Sequence, residues 1–175
     1  MLFLASFSEF AEKILTLSYW EIMSDIHGGL SMFSLILFGC AITLYFSLDK
    51  FAKAFNWFKT VVVLLFTNIF LLNFMGMFIY RPYREKTDFS PRTILKASEE
   101  TSWLHTIIFE HKEHLAFAPL IIMLVVAIIV VSQGKSLSSK PLLKRVVLFG
   151  IVTSLVYVLV VAAEAVLVTK TAPLR

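Results

Sequence analysis

Long apolar stretches alternate with short polar segments along this chain. Four apolar runs cover residues 28–48, 60–80, 115–132 and 146–168. Each is close to the roughly 20 apolar residues that a helix needs to cross the hydrocarbon core of a bilayer. The runs therefore predict an all-α integral membrane protein whose four-helix transmembrane bundle occupies residues 27–175.

Residues 1–26 follow a different pattern, in which apolar and charged positions recur at helical spacing. The apolar face contains Phe3, Phe7, Phe10, Ile14 and Leu17, and the polar face contains Glu9, Glu12 and Lys13. Two-sided helices of this kind lie in a membrane interface or dock on a neighbour. We predict an amphipathic interfacial helix, and no cleaved signal peptide because no basic residue precedes the first apolar residues.

Composition supports membrane insertion and excludes other classes. Of the 175 residues, 58% are hydrophobic and only 16% are charged, against about a quarter charged in soluble domains. The single cysteine, Cys40, lies inside the first run, so the chain has neither an internal disulfide nor a CxxC zinc motif. The net charge of +4 comes from basic residues that flank the runs, which argues against nucleic-acid binding.

The distribution of basic residues predicts the orientation. Alternating spans place 49–59 and 133–145 on one side, and 81–114 with both termini on the other. The two short loops carry the basic residues Lys50, Lys53, Lys59, Lys135, Lys140, Lys144 and Arg145. Because short cytoplasmic loops are enriched in Lys and Arg, we predict that both termini are extracytoplasmic, in a bacterial or archaeal cytoplasmic membrane.

Histidines gather at one membrane level. His105, His111 and His114 lie within ten residues before the third run, and the remaining histidine, His27, immediately precedes the first. The alternation of spans places all four on the same side. Imidazoles collected at one end of a helix bundle commonly hold a haem iron or a metal ion.

The histidine-rich segment is predicted to be a surface helix that bends into the third span. The Ser-Pro pair at 90–91 is a favourable helix start, and no Gly or Pro follows until Pro119. On the wheel of an α-helix, His111 is central in an apolar stripe and His114 lies at its edge. His105 points away from the stripe.

Other polar residues are predicted to face the same region. Glu164 lies within the fourth run and Asn73 within the second. An acid in a span is costly and usually faces the interior with a partner. The alternative is that Glu164 snorkels to the interface, since Lys170 follows soon after.

Haem b is the cofactor that these residues fit best. Its axial ligands would be His27 with His111 or His114, on different helices. Arg81, Arg84 and Lys112 lie on the correct side to bind the propionates. Glu110, Glu113, Glu164, Asn73 and His105 would orient ligands or handle protons. The chain has no CxxCH motif, which excludes covalent c-type haem.

Three alternatives stay open. Copper or zinc would suit the three imidazoles of His27, His111 and His114. Glu164 with a nearby histidine would suit proton transport. The third alternative is a structural subunit that binds no cofactor.

The overall layout is similar to that of small four-helix membrane b-type cytochromes. This resemblance, in architecture and histidine placement, implies an electron-transfer subunit of a respiratory or photosynthetic complex. It also implies other membrane subunits, and quinol or a periplasmic electron carrier, as partners. The sequence shows no nucleophile–base pair or substrate motif, so an accessory role is expected rather than a stand-alone enzyme.

Overall fold

The computed structural model describes residues 16–51 and 53–173, and these form helices and turns without a strand. In chain order, the elements are α1 (Tyr19–Tyr45), α2 (Ala54–Tyr83), α3 (Pro91–Lys96), α4 (Glu99–Trp103), a π-helix (Leu104–Phe109), α5 (Glu110–Leu115), α6 (Phe117–Gln133), a 3₁₀ turn (Gly134–Ser139) and α7 (Pro141–Thr171). The amphipathic helix predicted at the N-terminus lies mostly in residues 1–15, outside the described residues.

Four helical segments of the described chain are long and apolar enough to cross a membrane: α1, α2, the segment Glu99–Ser139 and α7. The predicted all-α four-span bundle is therefore confirmed. The first helix begins at Tyr19, earlier than the predicted residue 28. A capping box explains this start, because the Ser18 hydroxyl accepts from the Glu21 amide while the Glu21 carboxylate accepts from the Ser18 amide.

Helices adjacent in sequence are adjacent in space, and α7 closes the bundle by packing on α1. The core contains the fully buried side chains of Phe38, Phe58, Leu65, Met123 and Ile151. The outer surface is also apolar, with Phe70, Phe74, Ile121, Ile128 and Phe149 exposed. An apolar exterior of this kind is what hydrocarbon covers in a bilayer.

Close approach and one polar contact join the helices inside the bundle. A Cβ added to Gly150 of α7 would lie 2.6 Å from Cγ2 of Val126, so only glycine allows α6 and α7 to pack this closely. Between α1 and α2, the buried Asn68 amide donates to the Leu30 carbonyl at 2.9 Å and to the Ser34 hydroxyl at 2.7 Å. Satisfied polar contacts in hydrocarbon stabilise a helix pair, so Asn68 fixes α1 against α2.

We call the end of the bundle formed by 46–53 and 134–140 the loop end. There the Lys144 ammonium lies 2.6 Å from the Asp49 carboxylate and 5.6 Å from the centre of the Tyr45 ring. Gly134, with φ of +56°, ends α6 in a conformation that favours glycine. The loop end thus connects the helices with little additional structure.

The opposite, cap end is covered by residues 85–116, which we call the cap. Its start is as predicted, with Ser90 capping α3 and Pro91 in the first turn. The predicted continuous helix is wrong, because Ser98 caps a second helix and a π-helix follows. Apolar side chains hold the cap on α2 and the end of α7: Tyr83, Leu95, Leu104, Phe109, Val168 and Ala172.

Candidate functional site at the cap end

A carboxylate–imidazole pair joins α5 to α7. Nδ1 of His111 lies 2.6 Å from Oε1 of Glu164, at hydrogen-bond distance. The Glu164 side chain is only 11% exposed, whereas that of His111 is 54% exposed. Glu164 therefore faces the interior of the bundle, and its carboxylate orients an imidazole whose other edge faces outward.

Lys112 adds a positive charge to this region. Its ammonium lies 4.8 Å from the centre of the Phe109 ring, in cation–π geometry. It interacts electrostatically with Glu113, Glu164 and His27. One cation thus lies among carboxylates and an imidazole from three helices, at the cap end of the bundle.

His27 packs on the neighbouring helix. A Cβ added to Gly76 would lie 3.3 Å from Cε1 of His27, so the imidazole occupies the space that the missing side chain leaves. Nδ1 of His27 is buried without a hydrogen-bond partner among the described residues. The His27 side chain packs on α2, and no hydrogen bond within the described chain joins it to His111 or His114.

His114 has the same orientation of its ring nitrogens as His111. Its Nδ1 lies 2.7 Å from the carbonyl oxygen of Glu110, and the side chain is exposed. In a neutral imidazole, a proton on Nδ1 would satisfy this oxygen acceptor and leave the lone pair on Nε2. This tautomer is the one in which an imidazole binds a metal through Nε2.

Arg84, immediately after α2, binds the cap through two carboxylates. One guanidinium nitrogen lies 2.8 Å from Oε1 of Glu110 and 2.9 Å from Oε2 of Glu113. The guanidinium also lies 4.6 Å from the centre of the Tyr80 ring. Partial burial acts to lower the pKa of Arg84, but the charges of Glu113 and Glu110 outweigh it and raise that pKa.

His105 occupies a position that the helical wheel did not predict. It is 2% exposed, and its Nδ1 lies 3.2 Å from the Tyr83 hydroxyl. The wheel had placed His105 away from the buried stripe and His111 at its centre. Both assignments are wrong because the π-helix holds more residues per turn than an α-helix and shifts the faces.

The remaining predicted residues take separate positions. Arg81 is exposed and makes no ion pair within the described residues. Asn73 donates to the Ile69 carbonyl of its own helix at 3.0 Å. Arg84 is already bound to two carboxylates. The sequence analysis did not single out Tyr83, Phe109 or Asn68. Of these, Asn68 could have been found, because it is a polar residue within an apolar run.

Two observations define what this end of the molecule can bind. Among the residues that the structure describes, no group of three or more His, Cys, Asp or Glu side chains lies close enough to hold a metal ion. Two imidazoles, His111 and His114, nevertheless have an anchored Nδ1 and an available Nε2.

Comparison with known proteins gives no relative: no protein-family model, curated protein or solved structure matches the chain significantly. The functional interpretation therefore rests on the geometry of the cap end.

Proposed function

We propose that this protein is an electron-transfer subunit of a membrane redox complex that binds haem b through Nε2 of His111. The observation that carries the proposal is the 2.6 Å contact between Nδ1 of His111 and the Glu164 carboxylate. Histidines that bind metals almost always donate their other ring nitrogen to a carboxylate or carbonyl oxygen. Glu164 supplies such an acceptor from inside the bundle.

The ligand count supports haem over a bare copper or zinc ion. A porphyrin supplies four ligands itself, so its iron requires only one or two from protein. Structural zinc requires four protein ligands and catalytic zinc three, and the described residues provide no such group. The half-exposed position of His111 supports a haem on the outer side of the bundle, beside another subunit.

The predicted second axial ligand, His27, and His111 contact different helices in this structure. The His27 ring packs against Gly76, while His111 is bound to α7 through Glu164. Haem bound by both residues would give a six-coordinate, low-spin spectrum that His27→Ala converts to high spin. Haem that stays low spin in His27→Ala takes its second ligand from elsewhere, such as a neighbouring subunit.

The first experiment is a reduced-minus-oxidised absorption spectrum of the purified full chain, with metal analysis of the same sample. We expect a b-type band that is lost in His111→Ala and weakened in Glu164→Gln. Glu100→Gln is the matched control and is expected to keep the band, because the Glu100 carboxylate is exposed and makes no contact with an imidazole among the described residues. A colourless sample that contains copper or zinc would overturn haem in favour of a bare-ion site.

A cofactor-free structural subunit is the second candidate, and the same contact favours it. The His111–Glu164 pair also braces the cap against α7, which by itself stabilises a bundle. If wild-type protein purified from membranes under mild conditions, with haem supplied during expression, is colourless and metal-free, this role replaces electron transfer.

The proposed orientation places the cap outside the cytoplasm, where a quinol or a periplasmic carrier would exchange electrons with the haem. The supporting pattern is the density of Lys in the loop-end turns. A reporter fused after Arg175 tests it: alkaline phosphatase is expected to be active and green fluorescent protein dark. The opposite result would reverse the orientation.

A further inference from the structure

A groove of about 440 Å³ lies in the cap, and no histidine lines it. Its lining includes the cations Lys86, Arg92 and Lys96, together with the carboxylates Glu85 and Asp88. Within residues 16–51 and 53–173, none of the three cations forms an ion pair. Their charges are therefore available to a ligand, in contrast to that of Arg84.

The groove begins directly after a membrane-spanning helix. Helix α2 ends at Tyr83, and the lining starts at Glu85. The same cap packs on Val168 and Ala172 at the end of α7. These positions place the groove at the level where lipid headgroups lie.

Two exposed apolar residues belong to the same stretch of chain as the cations. Phe89 is 88% exposed and Ile94 is 42% exposed, within the segment that lines the groove. A phenyl ring fully in water is unfavourable by roughly 1.5–3 kcal/mol relative to a buried one, whereas the acyl boundary of a bilayer would cover it. A segment that carries both cations and exposed apolar side chains matches a ligand with an anionic headgroup and acyl chains.

We propose that the groove binds the phosphodiester headgroup of an anionic membrane phospholipid, with Lys86, Arg92 and Lys96 on the phosphate and Phe89 among the acyl chains. Charge complementarity favours this ligand, since the groove is lined by three cations and two carboxylates and so carries a net positive charge. The carboxylates of Glu85 and Asp88 would accept from headgroup hydroxyls, as those of glycerol. The exposed Phe89 favours a lipid over free phosphate in solution.

Native mass spectrometry of the full chain, released from nanodiscs of phosphatidylglycerol and phosphatidylcholine, tests the proposal. We expect one retained phosphatidylglycerol in wild type, with retention falling about 25-fold in Arg92→Gln/Lys96→Gln, at about fivefold per lost cation. The matched control Lys53→Gln/Lys59→Gln removes one cation at the loop end and one in the first turns of α2, and is expected to keep the cap lipid. Equal retention by wild type and the cap variant would overturn the proposal.

A second measurement separates lipid from soluble phosphate and does not depend on the variant's stability. Phe89→Trp fluorescence is expected to be quenched by phosphatidylglycerol brominated on its acyl chains, above the background of the three native tryptophans. Glycerol 3-phosphate is expected to leave lipid retention unchanged. Displacement of the lipid by this soluble anion, or absence of quenching at position 89, would contradict a lipid site.

Discussion

The loop end and the cap end close the same four helices in different ways. At the loop end, short turns suffice, and Lys144–Asp49 is the ion pair that the described residues form there. At the cap end, Arg84 binds two carboxylates, and both His105 and Glu164 are buried. Buried polar groups are costly in a membrane unless they are paired. The difference indicates that short connections suffice at the loop end, whereas the structure of the cap end depends on paired polar groups.

Arg84→Ala is expected to have the largest effect on this contrast. It leaves the Glu110 and Glu113 carboxylates close together without their shared cation. We expect a loss of about 2 kcal/mol in the free energy of unfolding, less than for a fully buried pair because the groups are partly exposed. Unfolding by SDS in mixed micelles measures it. Adding Glu110→Gln and Glu113→Gln should restore part of the loss; no recovery would show that lost packing is responsible.

Gly76→Ala tests the packing of His27 on α2. The added Cβ would lie 3.3 Å from Cε1 of His27, so the imidazole ring would have to shift by a few tenths of an ångström. We expect about 1 kcal/mol of destabilisation in the same unfolding measurement. Gly29→Ala is the control, since its Cβ meets nothing within 4 Å. If the Gly76→Ala cost persists in a His27→Ala background, the imidazole is not its cause.

Tyr83→Phe removes the hydroxyl next to His105 while keeping the stacking of the ring on Phe109, with centroids 3.6 Å apart. The loss of one buried hydrogen bond predicts about 1 kcal/mol of destabilisation. Hydrogen exchange of the cap amides should rise with it. Tyr80→Phe is the control, because the Tyr80 hydroxyl forms no hydrogen bond among the described residues. Equal effects of the two changes would rule out a specific role for the Tyr83–His105 contact.

Lys144→Ala is expected to have the smallest effect, about 0.5 kcal/mol, because the Asp49 side chain of its ion pair is 67% exposed. The effect should largely vanish at about 1 M salt, which screens exposed pairs. An effect as large as that of Arg84→Ala, and insensitive to salt, would mean that the two ends do not differ as described.

Hydrophobic run length was enough to predict the four spans, because bilayer thickness imposes it directly on the sequence. For Glu164 the sequence left two positions open, facing the interior or snorkelling to the interface. The side chain is 11% exposed and contacts His111, as the first of these predicts. The start of α3 followed from Ser90 and Pro91, whose conformational preferences are local.

The faces of the cap could not be predicted in the same way. The helical wheel assumes constant α-helical spacing from Pro91 to the third span, and the π-helix over Leu104–Phe109 breaks that spacing. Residues of the π-helix also make tertiary contacts that the wheel does not consider, such as the stacking of Phe109 on Tyr83. The contact between His27 and Gly76 could not be predicted either, because it depends on how α1 and α2 pack against each other.

The π-helix has a consequence for changes in chain length. The six residues of the π-helix turn the chain about as far as five residues at α-helical spacing would. Deleting one residue between Leu104 and Phe109 would therefore leave the flanking helices in nearly the same relative rotation. Deleting one residue from α5, where the spacing is already α-helical, would instead rotate the preceding part of the cap by about 100° relative to α6 and separate its buried side chains from α2 and α7.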